Sequence, residues 1–211
     1  MIDEIQRRFT EHPVRMESEG KIEGIAAVIN SRTDLGYFYE EIAAGAFDDI
    51  LQDDVRALFN HDSSKILART KSGTLEVFIS ERGDLAYKYE TPNISYAKDL
   101  AESIRLGDVD QSSFGFTIEG EEWRDMESEK PTRIITKLGR LMDVSPVTYP
   151  AYQDTTASAR NEEFEAVKQA YTDKKDAEKR AEKIKNQESK PAEGKPIDLY
   201  KRKLSILKTK K

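Results

Sequence analysis

Three side-chain types that together can carry out acyl transfer stand at the ends of apolar runs or inside them: an imidazole, a hydroxyl and a carboxylate. His61 closes the stretch Leu58-Phe59-Asn60-His61-Asp62. A neutral imidazole titrates near working pH and can take a proton from a nucleophile. A strand-end histidine that only makes a surface hydrogen bond looks the same in sequence. Ser112 and Ser113 stand in Gly107-Asp108-Val109-Asp110-Gln111-Ser112-Ser113-Phe114-Gly115-Phe116. Along 113–119 the apolar residues alternate, so Ser113, Gly115 and Thr117 turn to the opposite face. Gly115 then leaves room beside the hydroxyl for a close-approaching backbone, as a substrate strand requires. A turn serine before an edge strand is the alternative. Asp143 lies in Gly139-Arg140-Leu141-Met142-Asp143-Val144-Ser145-Pro146-Val147. A carboxylate within an apolar run is costly to bury unless something holds it. An imidazole donating its second N–H is one such partner, and an arginine on a neighbouring strand is another.

Short period-two runs are the elements that must position these groups. Leu75, Val77 and Ile79 share one face, as do Leu85, Tyr87 and Tyr89, and then Phe114, Phe116 and Ile118. The stretches 24–30, 55–59, 133–138 and 141–149 also read as strands. A short helix is expected over 45–51, and a longer one over 95–106 with Ala97, Leu100, Ala101 and Ile104 on one stripe, stopped by Gly107. Many strands with few helices predict a β-rich α+β fold, a barrel or sandwich with helical decoration.

Charge divides the chain. Residues 1–160 carry 19 basic and 30 acidic side chains, a net of −11, and residues 161–211 carry 15 and 10, a net of +5. We therefore expect a folded segment that ends at 160 and a charged tail over 161–211. The tail reads as a solvated helix rich in Glu, Lys and Ala, then a linker over 187–196, then a short basic amphipathic end over 199–207.

The composition narrows the chemistry. With no cysteine and two histidines, disulfides, thiolate metal sites, cysteine nucleophiles and three-histidine metal centres are excluded. Nucleotide-binding glycine motifs, the G-x-S-x-G elbow and H-E-x-x-H are missing. A metal would have to be held mainly by carboxylates and carbonyls, and serine chemistry would need no cofactor. An isoelectric point near 5.2 argues against a nucleic-acid binder. No apolar run approaches the roughly 20 residues of a membrane span, and residues 1–8 do not read as a secretory leader.

Taken together, the short motifs resemble the prohead proteases of tailed bacteriophages, capsid-maturation serine peptidases distantly related to herpesvirus assemblins. The resemblance spans roughly Gly20 to Ala159, which implies a protease domain over 20–160 behind an N-terminal extension over 1–19. It rests on Gly45-Ala46-Phe47 after an acidic patch, Phe59-Asn60-His61-Asp62, Ile66-Leu67-Ala68-Arg69-Thr70 and Gly73-Thr74-Leu75. It continues through Gly107-Asp108-Val109, Ser113-Phe114-Gly115-Phe116, Asp143-Val144-Ser145 and Pro150-Ala151. It implies Ser113, not Ser112, as nucleophile and His61 as base. The third member, usually a glutamate before Val-Ser, falls on Asp143, one methylene shorter. By analogy with assemblins, oxyanion donors would come from a loop at Gly139-Arg140. The resemblance further implies a closed β-barrel of assemblin type wrapped by helices. The implied partners are the major capsid protein and scaffold segments, with the chain itself as a further substrate and a homo-oligomer as a compatible state. The implied setting is the assembling prohead in the host cytoplasm. A catalytically inactive scaffolding protein on the same fold, or an unrelated barrel with a recruiting tail, would carry the same charge pattern.

Overall fold

Alternating side chains shape the strands, and several of these bury one face. The computed structural model describes residues 5–10, 13–18, 20–149 and 153–188. The elements run β1 (Gln6–Thr10), β2 (Arg15–Ser18), β3 (Lys21–Ala27), β4 (Thr33–Asp34), β5 (Tyr39–Ile42), β6 (Arg56–Phe59), β7 (Asp62–Arg69), β8 (Leu75–Ile79) and β9 (Leu85–Glu90). Then come α1 (Ser95–Leu106), β10 (Gln111–Arg124), β11 (Thr132–Val147) and α2 (Gln153–Glu188). The chain divides into two compact units between Glu165 and Ala166.

In the first unit, one sheet has the order β1-β10-β11-β5-β4, with β6 also on β11 and β7 on β6. The other has the order β2-β3-β9-β8. β11 is the spine of the first. It pairs antiparallel with β10 along its whole length, parallel with β5 at Thr132–Ile135, and parallel with β6 at Asp143 and Val144. Strand β3 of the second sheet packs near β1, β10 and β11. The core between them holds Ile22, Leu85, Tyr87, Phe114, Phe116, Ile135, Leu138, Leu141 and Val144, all nearly or fully buried. The fold is thus β-rich with two helices, and the ladders among the described residues form two open sheets.

The stretches expected at 133–138 and 141–149 are a single 16-residue strand. What separates them is not a loop at Gly139-Arg140 but bulges. Arg140 pairs with Thr117 and Leu138 with Ile118, which leaves Gly139 over, and Met142 is left over between Leu141 and Asp143. Helix α1 falls on the expected residues. Gly107 ends it at φ 82°, a left-handed conformation that glycine adopts freely, and its N–H bonds back to Ile104. Ala97, Leu100, Ala101 and Ile104 are its buried stripe. The helix expected over 45–51 is instead a series of turns, although it buries Ala46, Phe47 and Ile50 as a helix would. Gln6–Thr10, left in an extension by a resemblance that starts near Gly20, is a paired strand on β10.

Helix α2 starts at Gln153 and runs through Glu188. Phe164, which the charge boundary puts in the tail, is buried against Phe38 and Trp123, with ring centroids 5.8 and 5.7 Å away. From Ala166 on, the helix exposes nearly every described side chain, as expected for a segment too poor in apolar residues to cover a face. No helix among the described residues is long and apolar enough to cross a membrane. His12, Pro150-Ala151, the linker beyond Glu188 and the basic end at 199–207 lie outside the described residues.

One core pair gives a direct test of how β10 is seated. Ser112 is fully buried, and its hydroxyl lies 2.8 Å from the buried Tyr87 hydroxyl of β9. Ser112→Ala or Tyr87→Phe each strands the remaining hydroxyl, so each should cost about 1–3 kcal/mol of unfolding free energy in urea. The double variant should cost clearly less than the sum of the two.

Candidate active site

The imidazole is presented by a tight turn. Strands β6 and β7 are joined by two residues, Asn60 and His61, at φ 55° and 58°. This two-residue turn with both φ positive matches the twist of the strands it joins. Asparagine tolerates the left-handed region, but histidine there is uncommon, so the turn must be held from outside. Asn60 supplies the hold. Its N–H donates to the Pro146 carbonyl (3.1 Å), and its side-chain oxygen accepts from the Thr148 N–H (2.8 Å). Its amide also donates to the Thr148 hydroxyl at 3.2 Å. The turn is thereby clipped to the end of β11, beside the serine strand.

The carboxylate and hydroxyl come from adjacent strands in fixed register. Ser113 lies opposite Ser145, and Gly115 opposite Asp143. The bulge at Met142 makes this phase work. Leu141 and Asp143 are two apart, yet Leu141 points into the core while Asp143 joins the face bearing Ser113.

These residues meet. His61 Nδ1 is 2.5 Å from Asp143 Oδ1, and Nε2 is 2.6 Å from Ser113 Oγ. The carboxylate accepts the Nδ1 proton, which leaves Nε2 free to accept from the serine hydroxyl. Ser145 donates its hydroxyl to the same Asp143 Oδ1 at 2.7 Å. Ser113 Oγ is also 2.9 Å from the carbonyl oxygen of Arg8 in β1, so its single proton has two acceptors within reach. Ser113 and Ser145 are fully buried, while the His61 and Asp143 side chains keep 11% and 10% of their exposure. All three sequence-derived candidates, His61, Ser113 and Asp143, are therefore in one hydrogen-bonded series.

Several details differ from the reading of the residues alone. The space above Gly115 does not admit a substrate backbone, because a Cβ there would sit 2.5 Å from Asp143 Oδ2. Glycine is needed for the close approach of the carboxylate itself. Nor is β10 an edge at Ser113, since β1 pairs on its other side, with Phe9 opposite Ser113. Asp143 does not pair with an arginine among the described residues. Arg56, its register partner in β6, turns to Asp54 at 3.2 Å.

Beneath β1 lies a buried ion network that fixes Arg8. Its guanidinium meets the Glu40 carboxylate (2.9 Å to Oε2), which also takes Arg133 at 2.7 Å. The three side chains are 8%, 3% and 0% exposed. Burial would push the Glu40 carboxyl up, but the two guanidinium groups outweigh it and hold it below the usual range. This network ties β1, β5 and β11 together, and with it the Arg8 carbonyl beside Ser113.

Sequence reading missed Arg8, Glu40, Asn60 and Ser145. The last two left a trace. Asn before His between two strands is a two-residue turn signal, and Ser145 is two residues from Asp143 on one strand.

A hydroxyl, an imidazole and a carboxylate in series on a rigid β scaffold are the working parts of a serine hydrolase. The chain matches the caudovirus prohead serine proteases over residues 7–170, and it belongs to that family. It is thus a member of a serine protease family of tailed phages that acts in capsid maturation, within the prohead. No curated protein and no solved structure matches the chain.

Gly115→Ala should push the Asp143 carboxylate off its place. We expect peptidase activity to fall about a hundredfold, the scale of a misplacement of about 1 Å, with far-ultraviolet circular dichroism unchanged. The Glu40 network gives a second expectation. A carboxyl held lower in the folded state stabilises above the unfolded value, about pH 4.3, and that contribution is lost as pH falls through the folded value. Urea midpoints should therefore drop steeply from pH 5 to 3. Glu40→Gln, which removes the negative charge shared by two buried guanidinium groups, should cost about 3–5 kcal/mol at pH 7 and flatten the acid dependence.

Proposed function

We propose that the chain is an endopeptidase of the Ser-His-Asp type that cleaves capsid-protein and scaffold segments, and its own chain, inside the assembling prohead. The supporting observation is the unbroken series Ser113–His61–Asp143, at 2.6 and 2.5 Å, in a chain of a serine protease family. His61 Nε2 takes the Ser113 proton as Oγ forms a bond to the peptide carbonyl carbon. The same proton then goes to the leaving amine as the C–N bond breaks, which leaves an acyl-enzyme. Water then gives a proton to Nε2 as its oxygen bonds to the acyl carbon, the C–Oγ bond breaks, and Nε2 returns the proton to Ser113 Oγ as the acid leaves. Asp143 keeps the imidazole in the Nδ1–H tautomer and balances the charge that forms on it.

The same reading takes the two sheets, with β3 packed beside β1, β10 and β11, as the wall of an assemblin-type barrel. Its body takes in β1 and reaches Phe164, and the charged segment beyond is a delivery arm to the shell interior. The host cytoplasm is the setting, and self-association is compatible with it. The continuous relay speaks for an active enzyme over an inactive scaffold on the same fold, because a scaffold has no need of buried hydroxyls aimed at an imidazole.

Co-expression with the capsid protein, followed by mass analysis of processed chains, tests the reading. Ser113→Ala and His61→Ala should each lose on the order of 10⁶ in turnover, and Asp143→Asn about 10⁴. Normal processing by the Ser113→Ala chain would refute the assignment of the nucleophile.

A further inference from the structure

We propose that Ser145 is a fourth, positioning member of this relay, one that holds Asp143 in the orientation that sets the tautomer of His61. The proposal rests on reading Ser113–His61–Asp143 as the working series.

An aspartate carboxyl turns broadly about its last torsion, so nothing intrinsic to Asp143 aims Oδ1 at His61. Two neighbours remove that freedom. Ser145, two residues on and on the same face of β11, donates its hydroxyl to Oδ1 at 2.7 Å. On the other side Oδ2 fills the space over Gly115, where a Cβ would be only 2.5 Å away. Oδ1 therefore receives two donors, Ser145 Oγ–H and His61 Nδ1–H, while Oδ2 occupies the room that Gly115 leaves. Ser145 Oγ stands 3.4 Å from Nδ1, beyond a good hydrogen bond, so it acts through the carboxylate and not on the ring.

The consequence is chemical. A free neutral imidazole favours the tautomer protonated at Nε2, in which that nitrogen is a donor and cannot take the Ser113 proton. Which nitrogen carries the proton is decided by the bond that the other makes. A carboxylate free to turn would enforce the productive tautomer only part of the time. The fully buried Ser145 hydroxyl keeps it enforced. A merely structural serine would instead satisfy its hydroxyl with no effect on the ring.

Two measurements on the full chain separate these roles. The first is the nitrogen NMR spectrum of ¹⁵N-histidine-labelled protein, which is simple because only His12 and His61 contribute and His12→Ala assigns them. The second is the rate of modification by a fluorophosphonate probe, resolved into the saturating rate and the half-saturating concentration. In the unaltered chain His61 should carry its proton on Nδ1. Ser145→Ala should give a detectable share of the Nε2–H tautomer, and a saturating rate about tenfold lower, the scale of losing one hydrogen bond to a charged group. The half-saturating concentration should not move. Ser145→Cys keeps a weak donor and should fall between the two.

An unchanged tautomer in Ser145→Ala overturns the proposal, whether or not the rate falls, because a rate loss alone would then be structural. An unaltered chain with the His61 proton already on Nε2 overturns the relay reading itself, and the proposal with it.

Discussion

The antiparallel pairing of β10 with β11 is the constraint on which the site depends. It sets Ser113 against Ser145 and Gly115 against Asp143, and the extra residue at Met142 brings the polar side chains onto one face while the core stays filled. Without that bulge, the two-residue period would turn Asp143 to the side occupied by Leu141. Strand β6 then lies parallel to β11 at Asp143 and Val144, so the turn that follows it carries His61 over the face where the hydroxyl and carboxylate wait. The three groups come from sequence positions 61, 113 and 143, but they are adjacent in one sheet.

Burial makes this arrangement demanding. Polar atoms removed from water must find partners, and in this site they find one another. The Ser113 hydroxyl has both His61 and the Arg8 carbonyl, Asp143 has His61 and Ser145, and Asn60 has the end of β11. The left-handed backbone at Asn60 and His61 is unfavourable alone and persists because these bonds over-determine it. Further in, Glu40 compensates two buried guanidinium groups, and aromatic faces complete the surroundings, with the Arg133 guanidinium 4.9 Å from the Phe38 ring centroid.

Much of this was legible in the residues. The period-two runs at 75–79, 85–89 and 114–118 are strands, and α1 lies where its apolar stripe and Gly107 place it. The three chemical candidates could be picked out by type and by neighbours. Several features were out of reach of period and propensity. A bulge joins the two apparent strands of β11, and a turn series buries Ala46, Phe47 and Ile50 with a helix-like pattern without being one. The role of Gly115 inverted, because only the register with β11 reveals that a carboxylate occupies the space beside it. Net charge misplaced Phe164, since a charge count cannot register one aromatic side chain that packs on Phe38 and Trp123.

The central claim is that Ser113 is the nucleophile activated by His61. Its most direct test is the site of covalent capture. Purified chain treated with a fluorophosphonate should gain one phosphonyl group, with loss of fluoride, and peptide mapping should place it on Ser113 and not on the adjacent Ser112. The His61→Ala chain should stay unmodified under the same conditions. Modification at Ser112 or at any other residue, or equal labelling of the chain lacking His61, would contradict the account.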